Sequence, residues 1–387
     1  MKDIPYGRQD ISQADIDAVV TVLQSDFLTQ GPAVPRFEQS VAAKCGAQHA
    51  VAVNSATSAL HLACRALGLG PGDRLWTVPN TFVASANCGL YCGADIDFVD
   101  IDPQSWNLSV AALREKLVEA KRDGNLPKVV VPVHFSGQAT DQEAIWVLAQ
   151  EFGFKVLEDA SHAIGASRNG EPVGSCRWSD ITVFSFHPVK IVTTGEGGMA
   201  LTNGEELAWR MALLRSHGIT REAARMRREA DGPWYYEQVD LGYNYRMTDI
   251  QAALGASQLA RLDQFVDRRN ILASRYDEKL AGLPLQLPAV MQGNRSAFHL
   301  YVVRLNEGIA GRTHVELFEA LRHRGIGVNL HYMPVHLQPY YRDLGFGPGL
   351  CPEAERHGRE AMSLPLYPGL SEAQQDDVVS ALRELLA

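Results

Sequence analysis

Between residues 49 and 186 the chain repeats one pattern, a short apolar run followed by a longer polar or amphipathic stretch. The runs fall at 49–53, 74–78, 96–99, 128–133, 155–157 and 181–186. Most carry no regular alternation of apolar and polar residues, so each strand must be covered on both faces. Residues 59–67, stopping at Gly68, and 146–152 read as helices between them. Strands buried on both faces and separated by helices predict an α/β fold around a mostly parallel sheet. One stretch departs from this. Two apolar strands within residues 179–201 flank the glycine-rich Thr193-Thr194-Gly195-Glu196-Gly197-Gly198, which predicts an antiparallel hairpin.

The flanks complete the organisation. Ser12 to Asp15 offers a cap for an opening helix with Ile16, Val19, Val20 and Leu23 on one face, and residues 25–32 break it as a polar loop. After Thr248 the pattern changes to one long amphipathic helix from Ile250 to about Leu280. A strand at 298–305, a helix at 315–322 and a strand at 327–330 follow, and Ser371 with Gln374 forms a capping box for the last helix. At 387 residues the chain has room for two domains. The expected division is a large α/β domain, 1–248, and a smaller C-terminal α+β domain, 249–387.

Composition narrows the function. With 36 basic and 45 acidic residues, a formal charge of −9, the chain lacks the basic surface that nucleic acid requires. No apolar run is long enough to cross a bilayer, and Met1-Lys2-Asp3-Ile4-Pro5 carries no hydrophobic secretory core, so the expectation is a cytoplasmic protein with no membrane partner. The six cysteines show no CxxC spacing and read as buried thiols. His331 and His336 have no evident third ligand, so no metal site is expected. No GxGxxG opens a helix after the first strand, which disfavours a nicotinamide enzyme.

Three segments carry chemistry. Asn54-Ser55-Ala56-Thr57-Ser58 lies between a strand and a helix, where free backbone N–H groups and the helix dipole suit a phosphate, although plain N-capping fits the same residues. Glu158-Asp159-Ala160-Ser161-His162 closes a strand and is expected to expose two carboxylates where open α/β sheets bind ligands. Lys190 follows the apolar strand ending Phe184-Ser185-Phe186, in a turn 31 residues beyond Asp159. A buried amine with a lowered pKa is an imine-forming nucleophile. An anion nest, a strand-end carboxylate and such a lysine together match pyridoxal 5′-phosphate (PLP), which needs its phosphate held, its ring nitrogen kept protonated and its aldehyde captured.

These same segments, NSATSAL (54–60), EDASHA (158–163), FSFHPVKIVTTGEGG (184–198) and GYNYRMTDIQAALG (242–255), resemble the sugar-nucleotide aminotransferases, PLP enzymes of fold type I. The similarity runs over essentially the whole chain. It implies a large PLP-binding domain, with Lys190 bonded to the cofactor aldehyde and then moving a proton, and Asp159 paired with the ring nitrogen. Phe82 would cover one ring face. Ala56, Thr57 and Ser185 would hold the phosphate, and Asn244 would reach it from the other subunit of a homodimer with shared sites. His162 stands where relatives often carry Gln, near the cofactor's 3-hydroxyl. Tyr6, Leu28, Thr29, His331 and Tyr332 resemble substrate-facing positions. Residues 221–228, with four arginines against one glutamate, read as a solvated helix face that would at most approach a diphosphate.

Within the family, residues 4–12 (IPYGRQDIS), 25–32 (SDFLTQGP), the 54–60 nest and the lysine segment most resemble the 4-aminotransferases of pseudaminic acid biosynthesis. The implied reaction moves the amino group of L-glutamate to C4 of a UDP-linked 4-keto-6-deoxy-N-acetylhexosamine. It gives UDP-4-amino-4,6-dideoxy-N-acetyl-β-L-altrosamine and 2-oxoglutarate. The alternative is a 4-aminotransferase for another UDP- or dTDP-4-keto-6-deoxy sugar. Related 3-dehydratases place His where Lys190 stands, and a non-catalytic regulator would need neither Lys190 nor Asp159.

Overall fold

The computed structural model describes residues 3–386; Met1 and Lys2 of the N-terminal segment read above, and Ala387, lie outside the described residues. Helix α1 (Gln13–Leu23) opens on the expected cap, with Ser12 and Asp15 bonded reciprocally. Helix α2 (Ala33–Cys45) follows directly on Gly31-Pro32, and the sequence reading passed over it. Its buried Val34, Phe37, Val41 and Cys45 do keep helical spacing.

The alternating region then runs β1 (His49–Val53), α3 (Ala56–Ala66), β2 (Arg74–Thr77), α4 (Ala84–Leu90), β3 (Asp95–Phe98), α5 (Val110–Asp123), β4 (Val129–Val131), α6 (Gln142–Phe152), β5 (Lys155–Asp159), β6 (Ile181–Ser185), β7 (Gly198–Thr202) and α7 (Glu205–Arg215). The seven strands form one sheet in the order β1-β7-β6-β5-β4-β2-β3. The run β3-β2-β4-β5-β6 pairs parallel throughout. Strand β7 runs against both β6 and β1, so the predicted hairpin is present, with Ser185 opposite Gly198. Every residue of β4, β6 and β7 is buried, as continuous apolar runs require. Each of Val129, Val130 and Val131 contributes about 1.5–3 kcal/mol by that burial.

Two elements after Thr248 differ from expectation. The long helix is two, α8 (Asp249–Leu259) and α9 (Leu262–Leu280). The break at Ala260-Arg261 lets the Arg261 guanidinium bind Asp10 and Asp15, each at 2.6 Å, while α9 starts in the core of α8 with Leu262, Phe265 and Val266 before reaching a second one. Helix α8 buries Ala252 and Leu259 with Val22, Phe37 and Val41. Helix α9 buries Leu272 and Tyr276 with residues of the C-terminal part. That part holds a three-stranded antiparallel sheet of β8 (Leu285–Gln286), β9 (Tyr301–Leu305) and β10 (Ala361–Leu364), covered by α10 (His314–His323) and α11 (Glu372–Leu386). Residues 327–330 form no regular strand. Their segment joins neighbours through single bridges, Ile326 to Ile4 and Asn329 to Ser363.

Candidate active site

The C-terminal ends of the parallel strands surround a cavity of about 960 Å³, within the range of small-molecule sites. Strand β1 delivers Asn54 and Ser55 to it, and α3 starts there. Ser55 caps α3 by accepting from the Ser58 N–H, so the capping reading of this segment holds as well, and Ala56 and Thr57 line the cavity at the positive end of the helix. Their placement depends on Gly198. A Cβ on that residue would stand 2.4 Å from the Ala56 nitrogen, so only glycine lets β7 pass beneath the helix start.

Strand β5 ends in two carboxylates that alternation sends to opposite faces. The expectation that both are exposed at the binding edge is therefore corrected for Glu158, which is buried on the far side. Glu158 accepts from Gln142 (2.6 Å), Thr182 (2.6 Å) and Ser179 (3.0 Å), and stands 3.2 Å from His134. Burial alone would raise its carboxyl, but His134 and these hydrogen bonds hold it below the ordinary range. Asp159 lines the cavity. One of its oxygens accepts from Ser85 Oγ (2.6 Å) and the other from the Ser161 N–H (3.1 Å). A carboxylate has about four acceptor sites, so Asp159 keeps capacity for a further donor.

Strand β6 ends at Ser185, and Lys190 follows within the connection to β7. Burial pushes the Lys190 amine down to about 8, with the Asp159 charge acting in the opposite sense. Three buried imidazoles stand close by. His162 and His299 have ring centroids 4.4 Å apart, and His331 bonds Ser363 Oγ at 2.7 Å. Burial and the lysine charge hold all three below the ordinary histidine value, His331 at about 3, so they are neutral at pH 7. The Tyr332 hydroxyl lies 3.1 Å from His162 Nε2, tying the C-terminal part to the large sheet.

Of the residues singled out in the sequence, Tyr6, Ala56, Thr57, Phe82, Asp159, His162, Ser185, Lys190, His331 and Tyr332 line this one cavity. Phe82 is 60% exposed at its edge. Leu28, Thr29 and Asn244 are exposed and lie outside it. Leu28 and Thr29 sit beside the start of α8, because Thr29 bridges Thr248 and the Leu28 carbonyl accepts from the Asp249 N–H, whereas Asn244 bridges Ser216. Residues 221–228 form no α-helix face but a loop with one short 3-10 turn (Ala223–Arg225), in which Arg225 pairs with Glu206 and lies over the Trp209 ring, and Arg228 pairs with Asp231. The sequence reading missed Thr81, Ser161, His299, Asn329 and Gln251 on the cavity wall, and Ser85 behind Asp159. Ser85 had a signal, because it stands three residues after Phe82 and so one helical turn away.

The sequence from residue 9 to residue 383 matches the model of the DegT/DnrJ/EryC1/StrS aminotransferase family. The chain belongs to that family. It is 42% identical over 386 residues to the spore coat polysaccharide biosynthesis protein SpsC of Bacillus subtilis, covering 99% of this chain and 97% of that protein. Its fold is similar to Helicobacter pylori PseC, an aminotransferase involved in the biosynthesis of pseudoaminic acid, with a TM-score of 0.91, 30% identity, and 100% and 99% of the two chains covered. Spr1654 of Streptococcus pneumoniae, in its PLP-form, aligns with a TM-score of 0.88, 29% identity and full coverage of both chains. The protein is thus a PLP-dependent sugar aminotransferase with the mixed α/β fold of its relatives, and among the described residues no helix is long and apolar enough to cross a membrane.

The residues present fit that cofactor. The α3 start offers N–H groups to a phosphate, the Lys190 amine is desolvated, and Asp159 has acceptor capacity to spare. A buried His162 Nδ1 also has no hydrogen-bond partner.

Proposed function

We propose that this aminotransferase moves the amino group of L-glutamate to C4 of a UDP-linked 4-keto-6-deoxy-N-acetylhexosamine, the step that leads toward pseudaminic acid. The observation that carries the reading is the single cavity where Lys190, Asp159 and the α3 start converge, in a fold similar to PseC over its whole length. When bound, PLP supplies an electron sink for charge that develops as a C–H bond breaks. Lys190 anchors the cofactor and, as an amine with a value near 8, takes and returns the proton at the carbon bearing the transferred nitrogen. Asp159 keeps the ring nitrogen protonated through its charge. The Ala56 and Thr57 N–H groups, with Ser185, would hold the phosphate, and Phe82 at the cavity edge would cover the ring. The buried imidazoles, neutral at pH 7, add no positive charge beside Lys190.

The site is shared across a two-fold dimer in this reading. Asn244, Leu28 and Thr29 are exposed and lie outside their own chain's cavity, which suits delivery to the site of a second copy.

The higher identity to SpsC favours a second reading, a 4-aminotransferase for another UDP- or dTDP-4-keto-6-deoxy sugar used in polysaccharide assembly. One experiment decides between them. Purified protein is given L-glutamate and a panel of 4-keto sugar nucleotides, and the product is identified by mass and NMR. Amination of the L-arabino N-acetyl substrate in preference to the rest supports the first reading, and preference for another sugar establishes the second.

A further inference from the structure

The contacts behind Asp159 have a defined direction. Ser85 Oγ stands 2.6 Å from Asp159 Oδ2, and Thr81 Oγ1 stands 2.8 Å from Ser85 Oγ. An ionised carboxylate only accepts, so the Ser85 hydroxyl donates its one proton to Asp159. Its oxygen is then free to accept, and Thr81 is the donor that faces it. Both hydroxyls are buried, Ser85 wholly so, which keeps water from the Ser85 oxygen at the centre of the chain. A hydrogen bond to a charged acceptor is roughly twice as strong as a neutral one, and low local dielectric makes bonds in a chain reinforce each other.

The location adds a second argument. Ser85 lies in the first turn of α4, and Phe82 precedes that helix at the cavity edge. The other Asp159 oxygen is held by the Ser161 N–H. The carboxylate is therefore gripped from α4 on one side and from its own loop on the other, leaving it one orientation toward the cavity.

We propose that Ser85, supported by Thr81, is a positioning residue for the cofactor: the directed chain Thr81 to Ser85 to Asp159 fixes the carboxylate and keeps it ionised opposite the ring nitrogen. This rests on the reading of Asp159 given above. Removing the Ser85 donor leaves the Asp159 side chain in place but withdraws a bond that favours its charged form. The carboxylate then keeps only the Ser161 N–H of its two donors, and its hold on the ring nitrogen's proton weakens.

The test uses the holoenzyme and the PLP-depleted protein with Ser85→Ala, Ser85→Thr, Thr81→Val and Asp159→Asn. For Ser85→Ala the acid limb of the kcat pH profile should move up by about one pH unit, and the dissociation constant for PLP, read by fluorescence, should rise about tenfold, each the scale of one charge-assisted hydrogen bond. KM for L-glutamate should stay within about twofold, because the lost bond touches neither substrate. Ser85→Thr should restore the profile and the affinity, and Thr81→Val should move both in the same direction by less. Should Ser85→Ala fail to fold, Thr81→Val carries the test alone. An unmoved acid limb with unchanged PLP affinity in the folded variants overturns the relay. Near-normal turnover in Asp159→Asn overturns instead the reading of Asp159, so the two failures are distinguishable.

Discussion

Glu158 and Asp159 are neighbours in sequence, both buried carboxylates on one strand, yet the two faces of the sheet treat them differently. On the far face Glu158 meets four side-chain partners within 3.2 Å, all from its own chain. On the near face Asp159 has two donors and an opening into a cavity that also holds Lys190. A buried carboxylate whose acceptor sites are filled internally stabilises the fold, and one left with acceptor capacity toward a cavity is available to a ligand. What separates the roles is partner count and direction, because burial is nearly the same, 1% against 5% exposed.

The comparison is broken or sharpened by substitution on either face. Lys190→Ala, on the near face, should lower turnover by at least about 10⁴-fold while the protein stays folded. Refolded together with Asn244→Ala, it should regain about a quarter of wild-type sites if the site is shared as proposed, since half of such dimers would be mixed and each mixed dimer would have one intact site. No recovery after verified subunit exchange would place Asn244 in its own chain's site. Asp159→Asn should reduce kcat by about 10²–10⁴-fold with little change in the urea midpoint of the PLP-depleted protein. Glu158→Gln should do the reverse, costing about 3 kcal/mol in stability with kcat of the folded protein within about threefold. Because the native carboxyl of Glu158 is held low, the wild-type advantage should be present above the ordinary carboxylate range and vanish as pH falls through the native value. If Glu158→Gln instead loses activity at full stability, the division between faces is wrong.

The last effect concerns the stability contribution of Lys190 itself. Its native value of about 8 lies below the ordinary 10.5, so the folded PLP-depleted protein carries a penalty for the charged amine at low pH. Lys190→Met should be more stable than wild type below pH 8, by up to about 3 kcal/mol. The gap should close as pH rises from about 8 toward 10.5. Urea melts at three pH values measure it, and a gap independent of pH would show that the amine is not desolvated.

Much of this was legible in the sequence because the determining signals are local. Apolar runs gave the sheet, the glycine-rich turn gave the β6–β7 hairpin, and the nest, Asp159 and Lys190 each sit at a strand end where side-chain types report their surroundings. The two faces of β5 were not separable, since alternation says that neighbours diverge but not which one meets the cavity. His299 was invisible because it enters the site from the segment before β9, packed against His162 at a distance of 137 residues in sequence. The break in the α8–α9 helix escaped notice for a similar reason. The partners that Arg261 meets at the break, Asp10 and Asp15, lie at the other end of the chain.

The reversed strand β7 sets an order of events during synthesis. Among the described residues β1 lies at the edge of the sheet with β7 as its one strand neighbour, and His49 pairs with Thr202. A ribosome adding roughly 5–20 residues per second leaves β1 waiting about 8–30 seconds before that neighbour is even polymerised. The end of β1 and the start of α3, with Gly198 beneath them, are therefore among the last parts of the large sheet to be assembled. A nascent chain that captures cofactor has by then already closed its central sheet.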